Sequence, residues 1–167
     1  MSNALANIEK LCLQALHDGN EYVCNFERDG LHFISDSYAV WVFGEGYDLG
    51  ESYVKYPKNE KFEEKLFNLA KKYEKVEPLL PMRQSHESVI TRGFTASKYE
   101  SALSAQEAWI QDKYIVLFEP FDPEFCVYPN WDENKPIIVK SGNYRIGLIM
   151  AMHITDEVRA KKVQEKL

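Results

Sequence analysis

Residues 135–154, KPIIVKSGNYRIGLIMAMHI, constrain what this chain can fold into more than any other stretch. Pro136 lacks a backbone donor and so suits the first position of a strand, where it opens the β-branched run Ile137-Ile138-Val139. Ser141-Gly142-Asn143 supplies residues that tolerate a tight turn, and the chain returns from Tyr144 as a long apolar arm. This predicts a hairpin. Its second arm is too continuously hydrophobic to face water on either side, so it belongs inside a sheet that earlier segments complete.

The earlier segments read as follows. Leu5, Ile8, Leu11, Cys12, Ala15 and Leu16 recur at spacings of three and four, predicting a helix over residues 3–18 that Gly19 stops. Strands over 21–26 and 31–35 flank Arg28-Asp29-Gly30, a hairpin turn, and 38–43 forms a third strand. Residues 44–59 carry glycines and a proline and read as a loop. In the next helix Asn59 is the cap, Glu60, Glu63 and Glu64 suit the positive end, and Phe62, Leu66, Leu69, Ala70 and Tyr73 line one face. Pro78 and Pro81 mark an extended connector. A strand over 86–94 is expected, then a short helix started by the capping-box pattern Ser97 and Glu100. Residues 106–111 lean towards strand. Over 113–121 a buried strand and a buried helix fit equally well. Residues 125–128 read as a strand. Residues 155–167, with alternating charges around Val158 and Val163, read as a charged helical or disordered tail.

One domain spanning 1–167 is expected, since 167 residues that are 45% hydrophobic can bury one good core. Acids outnumber bases 26 to 20, which argues against a broad nucleic-acid-coating surface. No apolar run reaches the about 18 residues that a membrane helix requires, and the start lacks a signal peptide's basic and apolar regions, so a cytoplasmic protein with no membrane contact is expected.

Residues able to carry chemistry are scattered. Cys12, Cys24 and Cys126 are widely spaced and read as reduced core residues. His17, His32, His86 and His153 form no His-x-His or His-x-x-x-His pair, and Gly44-Glu45-Gly46 with Gly50 lacks the Lys-Ser/Thr of a phosphate loop. No cofactor, metal site or catalytic residue is expected. A hydrolase built on Cys or His ranks lowest among the functional readings.

The chain has a helix followed by three strands near its start and the same order again at its end, and three local segments resemble the bacterial DNA sliding clamp. Lys135-Pro136-Ile137-Ile138-Val139 followed by Leu148-Ile149-Met150-Ala151-Met152-His153-Ile154 is similar to the clamp's Lys-Pro strand and its terminal Met-Pro-Met-Arg-Leu. Gln111-Asp112-Lys113-Tyr114-Ile115 resembles the Asn-Ala-Lys-Tyr-Leu that enters a clamp helix, which tips 113–120 towards helix. Ser35-Asp36-Ser37-Tyr38-Ala39 resembles the Thr-Asp-Gly-His-Arg link. The departures are Ala39 for Arg, Ala151 for Pro, His153 for Arg, room for only one of the clamp's three domains, and no counterpart for residues 45–104.

The resemblance implies an α+β fold: an antiparallel sheet with helices on one face, two helix-plus-meander units of DNA-clamp type, and residues 45–104 as a helical insertion. It implies a noncatalytic clamp-like interaction module of bacterial or phage origin, serving DNA replication by binding a protein partner, with DNA a second candidate partner and self-association allowed. Met150, Met152 and Ile154 carry over as peptide-binding residues, methionine being adaptable in such a groove. Ordinary core packing of these residues is the competing reading. Lys10, Lys61, Lys65, Lys72 and Lys113 are the candidate DNA-facing residues, although the stripe on the second helix reads first as a solvated face interleaved with glutamates. The alternative function is an acidic, immunity-type protein that binds a basic protein partner.

Overall fold

The computed structural model describes residues 2–44, 54–74, 79–91 and 93–154. Their order is α1 (Ser2–His17), β1 (Cys24–Arg28), β2 (Leu31–Ser35), β3 (Ala39–Phe43), α2 (Glu60–Glu74), β4 (Leu80–Thr91), β5 (Phe94–Ser101), β6 (Glu107–Gln111), α3 (Asp112–Phe118), a 3-10 turn (Glu119–Phe121), β7 (Glu124–Val127), β8 (Pro136–Ser141) and β9 (Tyr144–Met150). The fold is α+β, with nine antiparallel strands in the order β1-β2-β3-β9-β8-β7-β4-β5-β6. Each end of the chain thus contributes a helix and a three-stranded meander, and the two meanders meet where β3 pairs with β9, Val40 opposite Leu148.

Local chemistry sets the joints. Asp29 and Gly30 both take positive φ, 53° and 74°, as the two-residue turn between β1 and β2 requires. Asn59 caps α2, its Oδ1 accepting the Phe62 amide at 3.2 Å. The apolar terminal hairpin forms as its sequence predicts and occupies the middle of the sheet, between β3 and β7.

Strand alternation divides the core. On β2, β3 and β8 the residues Ile34, Trp41 and Ile137 face one cluster, which Leu5, Ile8 and Cys12 of α1 and Tyr114 and Phe118 of α3 complete. Their neighbours Phe33, Val40 and Ile138 face a second cluster with Leu66 and Tyr73 of α2. Helices therefore cover both faces, which corrects the expectation of helices on one. The apolar run of β8 and β9 is the reason: its two faces are equally hydrophobic, and each must be covered.

The sheet also curls. Met152, just beyond β9, forms an isolated bridge with Trp109 of β6, its amide donating to the Trp109 carbonyl at 2.8 Å. The run from β9 to β6 therefore touches itself at its ends, wrapping around α3. This wrap corrects the reading of residues 45–104 as a helical insertion, because their described part contributes α2 and also β4 and β5, which belong to the sheet. The expected helix at Ser97 is strand β5: the Ser97 hydroxyl donates to Asp112 Oδ1 at 2.6 Å instead of capping a helix of its own. The tail 155–167, and the glycine cluster of the 44–59 loop beyond Gly44, lie outside the described residues.

Candidate partner-binding surface

On the outer face of β4, β5 and β6, away from α3, lies a third and smaller cluster. Val89 of β4, Ala96 of β5, Trp109 of β6 and Ile154 are buried in it, with Phe94 and Met152 packed against them. The alternation of β5 puts Phe94 and Ala96 on this side and Tyr99 in the main core. Met152 is held by its bridge to Trp109 and by the Gln111 side-chain amide, whose Nε2 donates to the Met152 sulfur at 3.1 Å. Of the three residues expected to bind a peptide, Met152 and Ile154 therefore come together. Met150 does not join them: it is half-buried beside Pro136, its amide donating to the Tyr38 carbonyl. Phe94 and Val89, which were not anticipated, belong to this surface together with Trp109. The period-two pattern Phe94, Ala96, Lys98, Glu100 was the available signal, masked by the Ser97 and Glu100 capping pattern.

The apolar cluster continues along the same strands into a charged one. Lys98 Nζ lies 2.9 Å from Glu107, 3.3 Å from Glu87 and 3.9 Å from Glu100, so three carboxylates from three strands surround one ammonium. The Glu107 hydrogen bond raises the Lys98 pKa above its ordinary value. The apolar side of the face is largely closed to solvent, and among the described residues the other side carries three carboxylates and one ammonium.

A separate cleft of about 1040 Å³ opens between the C-terminal turn of α2 and the start of β9, with Phe33, Ile138 and Leu148 among its apolar residues and Lys71, Glu74 and Arg145 among its charged ones. Arg145 Nη1 donates to the Tyr73 carbonyl, placing a cation on the negative end of α2. Met152 and Ile154 do not line this cleft.

The five candidate DNA-facing lysines are all exposed but do not form one surface. Lys10 and Lys113 stand on α1 and α3, while Lys61, Lys65 and Lys72 stand on α2, across the sheet. Helices on both faces separate what the sequence alone could not. Among the described residues, no group of three or more His, Cys, Asp or Glu is placed to hold a metal ion, and no helix is long and apolar enough to cross a membrane.

The three thiols are buried, and burial is the largest cause of pKa values pushed up to about 12. His32 lies between Asn25 and Glu27, and His153 Nδ1 is 2.7 Å from Glu133. Thiols held protonated in this way are inert at neutral pH. No protein-family model matches the chain, and no curated protein and no solved structure matches it.

Proposed function

We propose that this chain is a noncatalytic, clamp-like interaction module, acting in the cytoplasm of a bacterium or its phage, that holds a protein partner on the outer face of β4, β5 and β6 through Met152 and Ile154. The observation that carries this reading is a hydrogen bond: the Tyr114 hydroxyl donates to Asp36 Oδ2 at 2.6 Å. It joins two of the segments that resemble the sliding clamp, Ser35-Asp36-Ser37 and Lys113-Tyr114. Ser37 supports the reading further. It takes φ of 81°, the left-handed conformation that glycine favours, where the clamp's link carries Gly. The helix-plus-meander order at both ends agrees with a paired-unit architecture, and the protonated thiols favour binding over nucleophilic chemistry. In this reading the α1 and α3 side faces DNA, with Lys10 and Lys113 as its described cations there. The Lys61, Lys65 and Lys72 stripe would take no part in that contact.

The test is binding of short peptides with Leu and Phe anchors, followed by fluorescence anisotropy. Met152→Lys is expected to abolish binding while leaving the circular dichroism spectrum and the melting temperature intact; undiminished binding would remove Met152 from the function. Light scattering with a closed duplex circle and its linear form then reads the DNA arm, in which retention of the circle alone supports topological holding. The second reading, an acidic protein that binds a basic partner, is favoured by the grouping of Glu87, Glu100 and Glu107 on one face around Lys98. Partner affinity that falls steeply with added salt would select it.

A further inference from the structure

We draw no further inference here: the strongest candidate, the cleft of about 1040 Å³ between the C-terminal turn of α2 and the start of β9, carries nothing, because its floor residues Phe33 and Ile138 are fully buried, its cations are already engaged, Lys71 by Glu74 and Arg145 by the Tyr73 carbonyl, and nothing in the structure shows what covers it.

Discussion

The Tyr114 hydroxyl reaches Asp36 across 78 residues of chain and ties α3 to the turn between β2 and β3. Asp36 is buried, and its other oxygen accepts the Tyr38 and Ala39 amides, each at 3.0 Å. The carboxylate is therefore a hub for three donors, and removing one leaves part of its hydrogen-bonding capacity unmet in a site without access to water. Tyr114→Phe is expected to destabilise the fold by about 1–3 kcal/mol in urea titration. In a double-mutant cycle with Asp36→Asn the two costs should fail to add, by about 1 kcal/mol. Strict additivity would mean that the bond contributes nothing of its own.

Alkali should unfold this protein early. Burial first, and then the nearby charges of Asp36, Glu63 and Glu124 respectively, push Cys12, Cys24 and Cys126 from an ordinary 9.0 up to about 12, and Tyr99 rises to about 12 for the same leading reason. A group whose folded pKa lies above its unfolded one contributes stability that is complete below the unfolded value and is lost as pH climbs to the folded value. The denaturation midpoint should therefore hold between pH 7 and 8.5 and fall steadily from pH 9 towards 12. At pH 8 an aromatic disulfide reagent should label the thiols no faster than the chain unfolds, and rapid labelling of the native protein would contradict the burial that underlies both effects.

Gly147 is needed for closeness and not for an unusual backbone angle. A Cβ there would stand 2.6 Å from Phe118 Cζ and 2.7 Å from Cε1, and it would press on the Val40 carbonyl as well. Phe118 in turn is fully buried and stacks on Trp41 with ring centroids 5.2 Å apart, so moving the ring aside would disturb its own packing. Gly147→Ala should cost about 1–3 kcal/mol by overpacking. Adding Phe118→Leu should restore only part of it, because the backbone oxygen stays where it is. A neutral Gly147→Ala would show that β9 can shift away from α3.

What could be read from the sequence was what depends on neighbours in the chain. The terminal hairpin, the Asn59 cap and the Asp29-Gly30 turn are decided within a few residues, and each forms where its residues demand. What could not be read depended on distant partners. Ser97 and Glu100 carry a helix-start pattern, yet Ser97 bonds Asp112 and the segment pairs with two strands, so sheet contacts override the local preference. The second covered face was implicit in the unbroken apolar run of β8 and β9. Nothing in that run says which helix would cover it, and so the α2 lysines were grouped with Lys10 and Lys113. For the candidate surface, Met152 was visible through resemblance, while Trp109 could join it only once the sheet curled β6 back against the end of β9.

Lys98 gives the most direct handle on that surface. Its ammonium lies within 4 Å of Glu87, Glu100 and Glu107, and its side chain is only 14% exposed whereas the carboxylates open to solvent. Lys98→Met keeps the aliphatic stem that packs on the strands and deletes the charge, leaving three like charges on adjacent strands. The exposed carboxylates are screened, so the expected loss at low salt is about 1 kcal/mol and not the larger cost of a buried pair. Its signature is the salt response. Added salt weakens repulsion in the variant and attraction in the parent, so the difference in urea midpoint between them should shrink as ionic strength rises beyond about 0.1 M. A difference that persists unchanged in high salt would mean that Lys98 stabilises β5 through its packing and that the carboxylates do not interact through it.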